Sequence, residues 1–271
     1  MDRNSRNVRI GIAGASGRMG QALIDATLAA PDLALTVALD VAQSAMAGAD
    51  AGARSGRRTG VIVSADVDAV LSQCDVLIDF TRPEGTLAHA AACARDGVRL
   101  VAGTTGFSAG QKAELAAFAQ RTAIVFAPNM SVGVNVLLKL VERAAAQLGP
   151  AYDIEIVEMH HKHKVDAPSG TALGLGEAAA RGAGVALATH AVYAREGVTG
   201  PRKAGTIGFA TLRGGDVVGE HTVVFAGAGE RVELTHRATS RATFAEGALR
   251  AARFVADRAP GLYDMADVLE T

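Results

Sequence analysis

Residues 8–28 read VRIGIAGASGRMGQALIDATL, and this stretch decides the fold of the first part of the chain. A short apolar strand leads into glycines at Gly14, Gly17 and Gly20, and a helical run follows from Gln21 to Leu28. Strand, glycine turn and helix in this order let the backbone approach a pyrophosphate placed at the helix N-terminus. The spacing is GxxGxxG and not the stricter GxGxxG, so the turn alone is a weak indication.

The residues after this turn strengthen the indication of dinucleotide binding. Leu33 to Leu39 forms a second apolar strand, which ends at Asp40. In a Rossmann arrangement, an acid at this place meets the ribose hydroxyls of the adenosine half of the cofactor. Dinucleotide binding is therefore the favoured prediction, although glycines also serve in plain turns and Asp40 also suits the end of a strand.

Strands and helices continue to alternate up to about residue 127, after an irregular segment from Ala42 to Thr59. The predicted elements are a strand at Val61–Val63, a helix from Asp66, a strand at Val76–Phe80, a helix from Glu84, a strand at Arg99–Ala102, a helix from Ala109 and a strand at Ile124–Ala127. Such alternation predicts a Rossmann-type, doubly wound parallel sheet of the α/β class. Ligands bind at the carboxyl ends of its strands, where residues 79–84, 103–107 and 127–130 form loops.

The pattern changes at Ser131, and an amphipathic helix opens at Val132 and runs to about Leu148. The later predicted strands are Ile154–Met159, Thr206–Leu212, His221–Phe225 and Arg231–His236. Their hairpin-like spacing predicts a second, α+β domain with an open, mostly antiparallel or mixed sheet. The predicted division is 1–131 with 242–271 for dinucleotide binding and 132–241 for substrate binding and oligomerisation. A last helix is predicted over Phe244 to Asp257.

Residues 153–175 read DIEIVEMHHKHKVDAPSGTALGL and contain the residues best suited to chemistry. Alternating apolar and acidic residues predict a strand that delivers His160 and His161 to its end. A polar loop follows, and Ser169 is the predicted N-cap of a new helix. The first turn of that helix offers N–H groups to a carboxylate or phosphate, and His160 or Lys164 can supply a proton.

Two other interpretations of this loop remain open on the residues alone. His161 and His163 are a candidate zinc pair, but no cysteine lies nearby, so the prediction is that no metal is bound. A solvated basic loop without function is the second alternative, because runs of charge usually lie on the surface.

Composition bears on the partners and the compartment of the protein. The 271 residues carry a net charge of −1 and are 49% hydrophobic, so nothing favours nucleic acid or an anionic membrane surface. Two cysteines and the lack of a signal or a long apolar run predict a protein of the reducing cytoplasm.

Six stretches together resemble the 4-hydroxy-tetrahydrodipicolinate reductases, also called dihydrodipicolinate reductases. The stretches are GASGRMG, DFTRPEGT, GTTGF, APNMSVGVN, EMHHKHKVDAPSGTA and GEHTVVFAGAGERVELTHRA. The resemblance implies NAD(P)H-dependent reduction of 4-hydroxy-tetrahydrodipicolinate to tetrahydrodipicolinate with loss of water, in lysine and diaminopimelate biosynthesis. It also implies a homotetramer built through the sheet of the second domain, and a last helix that returns to the nucleotide domain.

The resemblance further implies roles for individual residues. His160 would be the acid/base residue and Lys164 the proton donor, while His161, Gly170 and Thr171 would hold the substrate. The implied cofactor contacts are Gly14, Ala15, Ser16, Gly17, Arg18, Met19, Asp40, Gly103, Thr104, Thr105, Ala127, Pro128, Asn129 and Met130.

The residue after Asp40 bears on the choice between NADH and NADPH. Family members that accept NADPH readily often have an arginine directly after the acid at the end of the second strand, whereas this chain has Val41. We therefore predict a preference for NADH, since an acid disfavours a 2′-phosphate and no adjacent cation offsets it. Four arginines could still reach that phosphate: Arg18, Arg54, Arg57 and Arg58.

Two other classes of function compete with the reductase. A semialdehyde-dehydrogenase-like oxidoreductase would share the nucleotide domain, but it needs a thiol nucleophile, and Cys74 and Cys93 lie before a strand and inside a helix. A non-catalytic nucleotide-sensing protein would bind NADH without turnover.

Overall fold

The computed structural model describes residues 7–270, which divide into two compact units. The first unit ends at Val132 and resumes at Arg241, and the second is Gly133–Ser240. The strands are β1 Val8–Ala13, β2 Leu33–Leu39, β3 Val63–Ser64, β4 Val76–Asp79, β5 Arg99–Ala102, β6 Ala123–Phe126, β7 Asp153–His160, β8 Ala191–Val192, β9 Ile207–Arg213, β10 Gly219–Ala226, β11 Arg231–Ala238 and β12 Gly261–Tyr263. The helices are α1 Arg18–Ala29, α2 Val67–Val70, α3 Pro83–Asp96, α4 Ala109–Phe118, α5 Val132–Leu148, α6 Gly170–Gly182, α7 Leu187–His190, α8 Ala242–Val255 and α9 Met265–Leu269.

The described part of the first unit contains a seven-stranded parallel sheet in the order β12-β6-β5-β4-β1-β2-β3. Its strands are short and apolar, and those at the centre are buried on both faces, as a sheet covered by helices requires. The strand order reverses between β1 and β4. In open α/β sheets, the loops at such a reversal form the ligand crevice.

Two layers of helices cover this sheet. On one face, Leu23 of α1 and Leu249 of α8 belong to one buried apolar cluster. On the other face, Cys93 of α3 and Leu115 of α4 belong to a second cluster. Each large aliphatic side chain buried in this way contributes about 1.5–3 kcal/mol of transfer free energy. These layers hold the ends of the strands, and hence the loops that follow them, in fixed positions.

The second unit has a five-stranded mixed sheet within its described residues, in the order β11-β10-β7-β9-β8. β10 runs antiparallel to β7 and β11, whereas β9 runs parallel to β7 and β8. Residues of α5 and α6, such as Val141 and Leu175, pack with Ile156 and Phe225 of the sheet in one buried cluster. The expected mixed sheet is therefore confirmed.

Several element boundaries differ from the sequence predictions. The strand predicted at Val61–Val63 lies at Val63–Ser64, because residues 48–63 form turns that pair with the main chain around Val61. The helix predicted to be the last one covers Ala242–Val255 and is followed by β12 and α9. That part of the prediction was wrong, since elements of three and five residues carry too short a pattern to recognise.

Candidate active site

The glycine turn of the first unit forms a tight, ligand-accessible start to α1. Gly14 has φ +72°, and its carbonyl accepts the Gly17 N–H at 2.9 Å. A Cβ on Gly20 would stand 2.1 Å from the Gly14 carbonyl oxygen, so only glycine allows α1 to pack this closely on the turn. Gly17 caps α1 without a side-chain hydrogen bond, which leaves the helix N-terminus to an outside acceptor. These features fit a dinucleotide pyrophosphate.

Asp40 lies directly beside this turn. Its carboxylate accepts the Ser16 N–H at 2.7 Å and the Val41 N–H at 2.8 Å. Burial opposes the charge, but hydrogen bonds from Ser16 and the Val41 N–H outweigh it and lower the pKa of Asp40. The carboxylate is thus held ionised and fixed against the glycine turn, where ribose hydroxyls could donate to it.

Arg54, one of the four arginines that could reach a 2′-phosphate, also contacts the glycine turn. The Nη1 of Arg54 donates to the Ser16 carbonyl at 3.1 Å, which puts the guanidinium at the residue whose N–H Asp40 accepts. Arg57 and Arg58 instead line a surface depression with Asp50 and Gly60. Arg54 is therefore a candidate cation for the neighbourhood of Asp40, and it arises from the segment in which the sequence showed no pattern.

The loops after β4 and β5 are joined by buried Asp79. One carboxylate oxygen accepts the N–H and the hydroxyl of Thr81, both at 2.7 Å, and the other lies 2.7 Å from Nδ1 of His89. The hydroxyls of Thr86 and Thr104 are 2.8 Å apart. The hydroxyl of Thr104, one of the implied cofactor contacts, is therefore hydrogen-bonded within the protein.

Most of the remaining predicted cofactor residues fall into three groups. Ala15 and Met130 have no exposed surface and Ala127 is 4% exposed, so none of the three presents more than a trace of surface to a ligand in this structure. Thr105 and Pro128 are exposed, and with Thr104 they line a small pocket of about 120 Å³. The third group lies on the loops after β5 and β6. Gly103 packs against the Phe80 ring, and the Asn129 side chain accepts the Ser131 N–H.

In the second unit, β7 carries His160 to the end of the sheet. His160 is 8% exposed, and its Nδ1 lies 2.6 Å from a carboxylate oxygen of Glu158. Burial lowers the pKa of His160, while Glu158 raises it and the cations Lys164 and Arg213 lower it further. The net direction is downward, which favours the neutral imidazole near neutral pH.

The start of α6 lies beside this histidine. Ser169 is the N-cap, as predicted: its hydroxyl accepts the Ala172 N–H at 3.2 Å. The same hydroxyl lies 3.1 Å from Nε2 of buried His221, whose ring packs edge-on against His160. Nothing lies within 4 Å of the position of a Cβ on Gly170, so α6 begins at a residue that faces open space.

The loop between β7 and α6 holds the other predicted residues. The Lys164 ammonium pairs with Asp166 at 2.8 Å, and the Lys164 N–H donates to the His161 carbonyl at 3.1 Å. The rings of His161 and His163 are 6.3 Å apart. Among residues 7–270 there is no group of three or more His, Cys, Asp or Glu that could hold a metal ion.

Three site residues escaped the sequence analysis: Glu158, Arg213 and His221. Glu158 was taken for one of the polar residues of a half-buried strand, yet it is 1% exposed. It lies two residues before His160, so the period of a strand places both side chains on one face, and this signal was available. Arg213 is the partner of His160 in the register of β7 and β9, which only the folded sheet defines.

Comparison with known proteins decides the family. A model described as the N-terminus of dihydrodipicolinate reductase matches residues 8–130, and one described as its C-terminus matches residues 133–269. The chain belongs to the dihydrodipicolinate reductase family. The Rossmann-type sheet and the second mixed sheet are the two parts of that family's fold in this chain.

Curated family members are similar over nearly the whole length. The 4-hydroxy-tetrahydrodipicolinate reductase of Thiobacillus denitrificans is 62% identical over 97% of this chain and 98% of its own. That of Nitrosospira multiformis is 57% identical, with 97% of each chain covered. A solved dihydrodipicolinate reductase from a Paenisporosarcina species, bound to dipicolinate, superposes with a TM-score of 0.73 at 25% identity, covering 96% of this chain and 98% of that one.

The two cysteines are too buried to serve as the nucleophile of the competing semialdehyde dehydrogenase. Cys74 is 2% exposed and Cys93 is fully buried. Burial raises the pKa of Cys74 to about 12 and raises that of Cys93 well above its usual value. Since the thiolate is the nucleophilic form, neither side chain suits attack on a substrate, in keeping with membership of the dihydrodipicolinate reductase family.

Proposed function

We propose that His160 and Lys164 carry out the proton transfers of this reductase, and that His161, Gly170 and Thr171 hold its substrate. The reaction is the NAD(P)H-dependent reduction of 4-hydroxy-tetrahydrodipicolinate to tetrahydrodipicolinate with loss of water, a step of lysine and diaminopimelate biosynthesis. The bound dinucleotide supplies the hydride. The chain's own residues bind the cyclic dicarboxylate, orient it and move protons.

The observation that carries this proposal is the position of His160. It lies at the end of β7, bonded to Glu158 on one side and in ring contact with His221 on another. Its lowered pKa favours the neutral form, which can accept a proton. Lys164 follows in the next loop with an ammonium group that can donate one. As a hydride adds to carbon, charge builds on the conjugated ring, and a positioned proton donor accelerates such a step by roughly 10²–10⁴-fold.

Two substrate carboxylates require two sites with positive character. The start of α6, at Gly170 and Thr171, has the partial positive charge of a helix N-terminus, and Gly170 faces open space. His161 and Lys164 of the neighbouring loop offer side-chain donors. This division assigns one carboxylate to the helix start and the other to the loop.

The first unit would hold the nicotinamide cofactor. The residues proposed to contact it are Gly14, Ala15, Ser16, Gly17, Arg18, Met19, Asp40, Gly103, Thr104, Thr105, Ala127, Pro128, Asn129 and Met130. The fixed turn at Gly14 and the ionised Asp40 support this assignment. We propose that NADH is preferred, because Asp40 repels a 2′-phosphate and Val41 supplies no charge to offset it. Arg54, whose guanidinium is bonded to the Ser16 carbonyl, is the arginine that we propose would support any use of NADPH.

We also propose the larger organisation of the enzyme. Residues 1–131 with 242–271 would form the dinucleotide-binding domain, and 132–241 the substrate-binding and oligomerisation domain. Val157 and Val224 lie on the sheet face away from the core of the second unit, and Leu212 is 45% exposed, which supports assembly of a homotetramer through that sheet. We propose a cytoplasmic location, because both cysteines are free thiols.

Within residues 7–270, no helix has the length and apolar character needed to cross a membrane.

A coupled assay tests the catalytic roles. Freshly synthesised substrate is supplied, and oxidation of NADH by wild type, His160→Gln and Lys164→Ala is followed. We expect both variants to lose roughly 10²–10⁴-fold in kcat, since each removes a proton-transfer group. Lys162→Ala is the matched control, because Lys162 lies in the same loop but is exposed. Turnover at the wild-type rate by Lys164→Ala or His160→Gln would refute the assigned role of that residue, and a total lack of turnover by wild type would leave only a nucleotide-binding protein.

A further inference from the structure

A buried carboxylate, paired with a partly exposed arginine, lies beside the proposed catalytic histidine. Glu158 is 1% exposed and lies on the inward face of β7, between Ile156 and His160. Burying an ionised carboxylate costs free energy unless it is paired and fully hydrogen-bonded. A glutamate at an aliphatic position therefore calls for an explanation beyond the stability of the sheet.

All the hydrogen bonds of Glu158 go to the surroundings of His160. One oxygen lies 2.6 Å from Nδ1 of His160, and the other accepts the Ser169 N–H at 3.0 Å. Arg213 donates one N–H to each oxygen, both at 2.9 Å, in a two-pronged ion pair. The Glu158 carboxylate thus joins the end of β7, the start of α6 and the end of β9.

Arg213 extends the same group to the lysine loop. Besides the two bonds to Glu158, its guanidinium donates to the carbonyl of Asp166 at 2.6 Å. Asp166 is the residue whose carboxylate pairs with Lys164. One ion pair therefore contacts the neighbourhoods of both proposed proton-transfer groups and of the proposed carboxylate site at α6.

The contact with Glu158 also decides which nitrogen of His160 exchanges protons. A carboxylate accepts a hydrogen bond, so Nδ1 carries a proton and Nε2 is left for the reaction. A Cβ on Gly219 would stand only 3.0 Å from Nε2, so the glycine at that position keeps this nitrogen uncrowded.

We propose that Glu158, paired with Arg213, is a positioning residue that holds His160 and the first turn of α6 together for proton transfer and substrate binding. The inference rests on the role proposed above for His160. It adds the group that fixes the tautomer, the ring orientation and the charge balance of that histidine.

The charge balance gives the proposal a signature that a merely structural role lacks. The groups facing His160 are the carboxylate of Glu158, the cations Arg213 and Lys164, and His221, whose pKa of about 3 keeps it neutral. Glu158 raises the pKa of His160 and Arg213 lowers it. Glu158→Gln should therefore move the His160-dependent limb of the pH profile to lower pH, and Arg213→Gln should move it to higher pH.

The test is the pH dependence of kcat/KM for the dicarboxylate substrate, a quantity that reports groups of the free enzyme. We expect Glu158→Gln to lower kcat/KM by at least about tenfold, to raise the substrate KM and to leave the KM for NADH unchanged, since a misplaced catalytic histidine is costly. Glu155→Gln is the matched control: Glu155 lies on the same strand and is also paired with arginines, Arg195 and Arg202, but away from His160. Its profile should match wild type.

Each outcome decides the proposal. Opposite shifts in Glu158→Gln and Arg213→Gln support it, whereas a folded Glu158→Gln with the wild-type profile and KM overturns it. Circular dichroism and NADH binding establish folding, and if Glu158→Gln does not fold, the direction of the shift in Arg213→Gln decides. His160→Gln distinguishes failure of the role proposed for His160 from failure of the role proposed for Glu158. Wild-type turnover in that variant would refute the role of His160 itself. Collapse of His160→Gln together with an unshifted Glu158→Gln would refute only the present inference.

Discussion

The charge environment of single residues governs both halves of the proposed chemistry. Asp40 stays ionised because two main-chain N–H groups and the Ser16 hydroxyl outweigh its burial. His160 is driven toward its neutral form by burial, against the pull of Glu158. Hydrogen bonds therefore outweigh desolvation at Asp40, whereas desolvation outweighs the hydrogen bond to Glu158 at His160. Each result suits the role proposed for that residue.

Cofactor choice is predicted to depend on the residue after Asp40. Val41→Arg should raise kcat/KM for NADPH by roughly tenfold or more, because hydrogen bonds to charged groups contribute about 1.5–3 kcal/mol. Arg54→Gln should lower kcat/KM for NADPH and leave kcat/KM for NADH unchanged. Steady-state kinetics with each cofactor measure both effects, and Arg57→Gln is the control. Equal efficiency of the wild type with NADH and NADPH would contradict the proposed preference.

The site residues that could be foreseen were those in unusual local sequence. His160, Lys164 and Ser169 lie in one polar loop between a strand and a helix, and Asp40 lies at a set distance from the glycine turn. Arg213 could not be foreseen, because its contact with Glu158 follows from the pairing of β7 with β9, which are separated by α6, α7 and β8. Local spacing carries no information on that pairing.

Among the elements, the glycine turn makes the strictest demand on sequence. Gly20→Ala should lower the free energy of unfolding by about 1–3 kcal/mol and weaken NADH binding, since the added Cβ would meet the Gly14 carbonyl oxygen at 2.1 Å. Gly110→Ala in α4 is the control, because its nearest neighbour would be 4.0 Å away and alanine favours a helix. Urea denaturation and calorimetric titration with NADH measure these effects. Wild-type stability and affinity in Gly20→Ala would refute the packing described for the turn.

Most of the fold could be predicted from periodicity because its elements are long or strongly marked. The strand at Leu33–Leu39 and the cap at Ser169 were predicted at those residues, and the helix at Val132–Leu148 was predicted with its end at about Leu148. The prediction failed at Val63–Ser64 and beyond Val255, where two to five residues form an element only because a neighbouring strand or helix is present. Tertiary contacts, and not local propensity, determine such pieces.

At the scale of the whole molecule, the outer face of the second sheet is the surface proposed for assembly. Wild type should have about four times the monomer mass of 27.6 kDa in light scattering, and Leu212→Glu should lower that mass, because it places a charge in an apolar contact. Leu262→Glu is the control, since Leu262 is 48% exposed but lies in the first unit. A monomeric wild type would contradict the proposed tetramer.

The account as a whole rests on donation of a proton by Lys164, and chemical rescue of Lys164→Ala tests this most directly. Turnover of the variant is measured with methylammonium and, separately, with tetramethylammonium, which carries the same charge but has no proton to give. We predict that methylammonium restores part of the lost kcat and that tetramethylammonium restores none. Equal rescue by both ions, or full activity without either, would contradict the assignment of Lys164 as the proton donor.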